Sequence, residues 1–145
     1  MRIRDARPDD APALARLVDQ LGYPTSAEAV AARLRRLEES PADRVFVAEL
    51  DGEIVGAASV HISLTLELDE PAAKLSAIVV DEGHRRQRVG EALVAAVEEE
   101  ATRQDCCLVF LTTAERRAEA HAFYRRLGYE ETGRRFAKTL KSPSP

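Results

Sequence analysis

Lys74-Leu75-Ser76-Ala77-Ile78-Val79-Val80-Asp81-Glu82-Gly83-His84-Arg85-Arg86-Gln87-Arg88-Val89-Gly90, with the residues that follow to Arg103, decides the fold. Ala77 to Val80 is an apolar run rich in β-branched side chains that stops at a turn signal, Asp81 to Gly83, and it predicts a buried strand. From Val89 onward the apolar positions Val89, Leu93, Val94, Val97 and Ala101 recur at helical spacing, while Glu91, Glu98, Glu99 and Arg103 fall mainly outside that stripe. Strand, arginine-dense turn and amphipathic helix together make a place to hold phosphate. The first amides of a helix lack internal partners and carry partial positive charge, so an anion docked there satisfies several donors together.

The rest of the composition sets the class. A chain of 145 residues predicts one domain, spanning 1–140, with a polar tail over 141–145 that frays. Hydrophobic residues at 45% and charged residues at 32% are those of a soluble globular protein. No stretch approaches the roughly 20 apolar residues that span a bilayer, and no charged-then-apolar leader opens the chain. The expectation is a cytoplasmic protein with no membrane partner. A net charge of −4 argues against general nucleic-acid binding, although arginine gathers locally at 85, 86 and 88. Cys106 and Cys107 are adjacent at the head of an apolar run, which is neither metal-ligand nor disulfide spacing, and they are expected to be buried structural thiols.

In chain order, Arg2 to Arg4 reads as a first strand, and Pro8, Asp9 and Asp10 mark a helix entry. A helix over Ala11 to Leu21 presents Leu14, Leu17, Val18 and Leu21 on one face and stops at Gly22-Tyr23-Pro24. A second, capped by Thr25 or Ser26, runs to about Glu39 with Val30, Leu34 and Leu37 inward. Val45 to Leu50, the Asp51-Gly52 pair and Ile54 to Ile62 form a hairpin, since that dipeptide supplies the positive backbone angles of a tight turn. Period-two alternation extends the second strand through Leu68. Leu108 to Thr112 is a strand parallel to the one at Ile78, because a full helix separates them. Ala118 to Tyr129 is a helix stopped by glycine, and Glu130 to Leu140 a closing hairpin around Gly133. The fold class is mixed α/β.

Two of these segments carry a family resemblance. Val79 to Leu93 resembles the acyl-CoA-binding segment of the GNAT superfamily of N-acyltransferases, whose loop reads Arg/Gln-x-x-Gly-x-Gly/Ala between a strand and a helix. Arg85 and Gly90 match its first and last positions, and Arg88 stands where the first glycine is usual. Ala118-Glu119-Ala120-His121-Ala122-Phe123-Tyr124-Arg125-Arg126-Leu127-Gly128-Tyr129 resembles the second signature, an Ala-x-x-Phe-Tyr-x-x-x-Gly-Phe/Tyr helix end. The resemblance implies a mostly antiparallel central sheet with a splayed parallel strand pair and flanking helices. It also implies an N-acetyltransferase that moves the acetyl group of acetyl-CoA directly to a primary amine of a small molecule or peptide, without a metal.

The same resemblance places the roles. Backbone N–H groups from Arg86 through Gln87, Arg88, Val89 and Gly90 to the helix start at Glu91 would meet the diphosphate of acetyl-CoA, with Arg85, Arg86 and Arg88 adding charge. An arginine at 88 must swing aside or join the phosphate contacts, and a guanidinium suits the second. Ile78, Val79 and Val80 would pair with the pantetheine arm, an N–H near Val79 or Val80 facing the thioester oxygen. Tyr124 would be the general acid toward the departing thiolate, with core packing as the competing reading; His121 lies one turn earlier. Tyr23, Pro24 and Thr25 are acceptor-side candidates, with packing at a helix end the alternative for Tyr23. The family often carries an Asn before the tyrosine helix. Here the segment is Thr113-Ala114-Glu115-Arg116-Arg117, so Arg116 or Arg117 would contact the cofactor or the contact is absent. The base stays open among Glu67, Asp69, Glu70, His61 and water ordered by Ser76. Acceptor identity and a homodimer are also left open, and a non-catalytic acyl-CoA-binding regulatory module is the alternative function.

Overall fold

In the computed structural model, which describes residues 1–85, 87–113 and 118–141, Asp51 and Gly52 both take positive φ, +50° and +81°. That turn matches the twist of a two-stranded ribbon. It folds β2 (Asp43–Leu50) back onto β3 (Glu53–Ser63), and the hairpin is the middle of a sheet ordered β1-β2-β3-β4-β5. β1 is Arg2–Asp5, β4 Ala72–Val80 and β5 Leu108–Phe110. Every neighbouring pair is antiparallel except β4 and β5, which are parallel. This is the mixed, mostly antiparallel sheet that the resemblance implies.

All five strands lie in the first of two units, Met1–Phe110; the second is Leu111–Pro145. Helices α1 (Ala11–Leu21) and α2 (Ala27–Glu38) cover one sheet face, where Leu14, Leu17 and Val30 pack with Val47, Ile54, Ala57 and Val79. Ser26, not Thr25, caps α2, accepting from Ala29 N at 3.1 Å. α3 (Val89–Arg103) covers the other face with Val89, Leu93, Val94, Val97 and Ala101, all buried. These are the positions of the apolar stripe, and the helix bounds coincide with those expected. Arg44 ties this helix to the sheet, donating to Glu100 at 2.8 Å and to Asp5 at 2.7 Å; Arg103 also pairs with Glu100.

Three expectations need correction. β3 ends at Ser63, paired with Ala72, so 64–71 is the connection between β3 and β4. The alternation of Leu64, Leu66 and Leu68 finds no face to bury, and all three side chains are exposed. The hairpin expected over Glu130 to Leu140 is not formed: described residues 130–139 carry no strand, and the large apolar side chains Phe136 and Leu140 are exposed, which leaves neither arm a core. The thiols are not buried structural groups. Cys107 is exposed and Cys106 half-buried, because β5 is a short edge strand that begins only at Leu108. Burial pushes the Cys106 thiol up, with adjacent Cys107 adding to the shift.

The second unit contains α4 (Ala118–Arg126), stopped by Gly128 at φ +93°. Gly128 N donates to Arg125 O at 3.0 Å and Tyr129 N to Tyr124 O at 3.0 Å, a left-handed C-terminal cap. The described part of the expected polar tail is Lys141; 142–145 lie outside the described residues.

Arg4 joins the first strand to the first helix. Its Nη atoms donate to both Asp10 carboxylate oxygens at 2.9 and 3.0 Å and its Nε to Glu49 at 2.8 Å. Burial raises the Asp10 carboxyl, yet the bonds from Arg4 and from Arg7 N outweigh it and hold the group below the usual carboxylate range. A depressed carboxyl stabilises the fold fully above its unfolded value near pH 4 and loses that contribution as pH falls through its folded value. Arg4→Met leaves Asp10 buried without its cation and is expected to cost about 3 kcal/mol at neutral pH. Urea denaturation measured across acid pH checks this, the deficit shrinking as Asp10 takes up its proton.

Candidate active site

Asp81 ends β4 and organises the turn that leads into α3. Its N–H donates to Val55 O at 2.8 Å, its Oδ1 accepts from Gln20 Nε2 at 2.9 Å, and its Oδ2 accepts from Gly83 N at 3.2 Å and pairs with His84 Nδ1 at 2.8 Å. Gln20 Oε1 in turn accepts from Glu82 N at 3.1 Å. The hydrogen bonds from Gln20 and then His84 hold the Asp81 carboxyl below its ordinary range. An α1 side chain therefore fixes the start of the turn.

Arg88 follows at φ +64°, ψ 17°, as the residue capping α3. The left-handed region is where a residue with a Cβ is strained and glycine is not. The glycine usual at this position thus answers a backbone requirement, which Arg88 meets at a cost. Its side chain makes no capping bond, and the first intrahelical N–H is that of Ala92, donating to Arg88 O at 3.1 Å. Helical geometry leaves the amides of Val89, Gly90 and Glu91 without acceptors in the helix. Arg85, Gln87, Arg88 and Glu91 are exposed, and among the described residues neither Arg85 nor Arg88 has an ion-pair partner. Val89 points its side chain into the core, so only its backbone faces the turn. Arg86 lies outside the described residues.

Close packing sets where this helix begins. A Cβ on Gly56 of β3 would lie 2.9 Å from Val89 Cγ1 and 3.1 Å from Leu93 Cδ1, so the first turn of α3 sits in the space a side chain would fill.

β4 beside this corner is open along one edge. Its pairing with β5 covers Ala72–Leu108, Ala73–Val109 and Lys74–Phe110 and then ends. Within the first unit, among the described residues, the stretch from Leu75 to Val80 has no partner on that side. Ile78 and Val80 are half-buried and Val79 is buried. Opposite, Ser59 pairs with Ala77 and Val60 with Leu75, so Ser76 is an extra residue, a β-bulge.

Next to the bulge is a hollow of about 270 Å³ lined by Leu37, Asp43, Ser59, His61, Lys74 and Ser76, with Arg44 in its wall. The hollow unites two of the proposed bases, His61 and the Ser76 that would order water. His61 Nδ1 lies 2.8 Å from Asp43 Oδ1, and Asp43 Oδ2 accepts from Ser40 Oγ at 2.7 Å. Burial pushes the Asp43 carboxyl up, but the bonds from Ser40 and His61 bring it below its ordinary value. Glu67, Asp69 and Glu70 stay exposed on the β3–β4 connection. Tyr23 is 68% exposed, so it does not pack at its helix end; Pro24 is exposed too, while Thr25 Oγ1 is buried without a partner among the described residues. In the second unit, Tyr124 sits edge-on to Phe123 and Tyr129, ring centroids 5.2 and 5.9 Å apart, and His121 is half-buried. Arg116 and Arg117 lie outside the described residues. Among the described residues no cluster of His, Cys, Asp or Glu is arranged to hold a metal.

The site residues that sequence reasoning passed over are Gln20, Asp43 and Gly56. Gly56 had a signal, a glycine inside an otherwise apolar strand. Gln20 and Asp43 had none, since each acts on a residue distant in sequence.

Comparison with known proteins bears on this arrangement. The sequence model of the acetyltransferase (GNAT) family matches residues 11–129. An aminoalkylphosphonate N-acetyltransferase of Salmonella typhimurium is 37% identical over 90 residues, 62% of this chain and 58% of that protein; the match thus spans under two thirds of the relative's length. An aminoglycoside acetyltransferase from an uncultured soil metagenomic sample, solved with sisomicin, superposes with a TM-score of 0.77 at 25% identity, covering 97% of this chain and 96% of that one. An aminoglycoside N-acetyltransferase solved with CoA shares the fold, with a TM-score of 0.84 at 24% identity over 97% and 95% of the two chains.

The left-handed cap generates a test. Arg88→Gly is expected to hold or raise stability by up to about 1 kcal/mol, whereas the β-branched Arg88→Val costs about 2 kcal/mol, as read from denaturant midpoints.

Proposed function

Because the chain belongs to the acetyltransferase (GNAT) family, we propose that it transfers the acetyl group of acetyl-CoA directly to a primary amine of a small molecule or peptide. The observation that carries this reading is the start of α3, an uncapped first turn beneath a left-handed Arg88, with exposed Arg85 and Arg88 that have no ion-pair partner among the described residues. Acetyl-CoA supplies the activated acyl group. The chain supplies the rest. The N–H groups of Val89, Gly90 and Glu91 donate to diphosphate oxygens, and Gln87, Arg85 and Arg88 extend the grip with polar and charge-assisted bonds.

The open edge of β4 at Ile78, Val79 and Val80 suits an amide-bearing arm laid alongside it, and an N–H at Val79 or Val80 would stabilise negative charge growing on the thioester oxygen. Tyr124 is assigned the proton donor to the departing sulfur on its place in the second motif; a tyrosine hydroxyl is still protonated at neutral pH and can serve as an acid. For the acceptor, the similarity to an aminoalkylphosphonate N-acetyltransferase favours a small primary amine that also carries an anion. Lys74 lines the hollow and has no ion-pair partner among the described residues, so it offers such a group a cation.

Calorimetry with CoA, run beside thiol release from acetyl-CoA over aminoalkylphosphonates, aminoglycosides, polyamines and amino acids, tests the reading. Binding together with turnover is expected; no CoA binding removes it, and binding with no turnover leaves a regulatory module. Arg85→Glu with Arg88→Glu is expected to weaken CoA binding, with a deficit that narrows as salt rises. Tyr124→Phe should lower kcat by about 100-fold with little change in KM for acetyl-CoA, and an unchanged kcat at every pH removes the acid role.

A further inference from the structure

The geometry points to His61 as the general base that takes the proton from the acceptor ammonium, with Asp43 as the residue that positions it. This rests on the transfer reaction proposed above and assigns the group which that proposal left open. Cross-strand pairing puts Asp43 of β2, His61 of β3 and Lys74 of β4 in one row, with their side chains on the same sheet face. His61 and Asp43 meet through Nδ1 and Oδ1 at 2.8 Å. The carboxylate is held from its other side by Ser40, so it stays ionised and fixes the ring with Nδ1–H directed at Asp43 and Nε2 left as the acceptor. Nε2 has no partner among the described residues, and the ring lines the hollow with its side chain 46% exposed.

The hollow adjoins the β4 edge. Ser76 lines it, and Ile78 follows two residues on, roughly 7 Å along the strand. His61 stands four residues along β3 from Ala57, the partner of Val79, roughly 13 Å in a regular strand, so the proton passes from the acceptor nitrogen to Nε2 through water in the hollow. The charged groups facing His61 are few. Among the described residues they are Asp43 from β2 and Lys74 from β4; Arg44 lines the wall but turns its side chain to the α3 face, and α2 contributes Leu37. Arg44 spends its guanidinium on Asp5 and Glu100. Glu67, Asp69 and Glu70 line no part of this hollow.

The protons balance. The ammonium gives one proton to Nε2, and the neutral nitrogen attacks the thioester carbon. The C–N bond forms, the C–S bond breaks, the acid assigned above gives the sulfur its proton and is restored by the second nitrogen proton, and His61 releases its proton to solvent.

The test compares wild type, His61→Gln and Asp43→Asn by thiol release, each across pH, with the best alkylamine acceptor and with trifluoroethylamine, which is neutral at pH 7 and needs no base. Circular dichroism and acetyl-CoA binding serve as controls on folding. His61→Gln is expected to lower kcat/KM for the alkylamine about 100-fold. Its KM for acetyl-CoA should be unchanged, the defect should shrink at high pH, and the loss with trifluoroethylamine should be small. Asp43→Asn should follow the same pattern with a smaller loss, and should shift the acidic limb of the profile. Equal losses with both amines would mark a structural role and overturn the inference. So would a wild-type pH profile in His61→Gln. Turnover by wild type with an unaffected His61→Gln overturns this assignment alone, whereas no turnover by wild type with any amine overturns the transfer reaction as well.

Discussion

Val89 and Leu93 press against β3 at the one place where the strand has no side chain, Gly56. A helix seated that closely cannot slide or tilt at its first turn without opening the core, which is packed through Leu93, Val94 and Val97. On the far side of the same turn, Gln20 and His84 hold Asp81, so the backbone between β4 and α3 is gripped from both ends. The direction of the free amides of α3 is therefore set by the hydrophobic core and by an α1 side chain. The arginines nearby contribute charge but do not set that direction.

The same division explains which features can be read from a sequence. The stripe at Val89, Leu93, Val94, Val97 and Ala101 predicts α3 with its observed ends, and the Asp51-Gly52 pair predicts the hairpin, because both are local signals with strong physical causes. Alternation across Leu64, Leu66 and Leu68 is an equally regular pattern and misleads, since period two reports a strand only where a neighbouring layer exists to be buried against. The segment after Tyr129 fails for the same reason. Asp81 reads as a turn residue and is one; that it is held by Gln20, 61 positions earlier, depends on how α1 packs on the sheet. Arg88 shows a subtler gap. The departure from glycine is plain in the sequence, but the conformation that glycine serves is a backbone angle, visible only in the structure.

Charge is partitioned with similar economy. Arg4 is taken up by Asp10 and Glu49, and Arg44 by Asp5 and Glu100, each tying an outer strand to a helix or its entry. The cations without such partners among the described residues include Arg85, Arg88 and Lys74, which stand at the helix start and at the hollow. Pairing occupies the arginines that tie the outer strands to the helices, and Arg85, Arg88 and Lys74 are left to a ligand.

Ser76 has a consequence for the whole strand. Lys74 and Val79 are an odd number of residues apart and in a regular strand would point to opposite sides. Yet Lys74 shares a face with His61, and Val79 shares that same face with Ala57 and the α1 core. The inserted serine changes the parity of β4 midway, so a polar basin and an oily interior occupy one side of a single strand. A replacement at position 76 alters only what that residue contributes; removing it would exchange inside for outside along half of β4. What the chain must conserve there is a length.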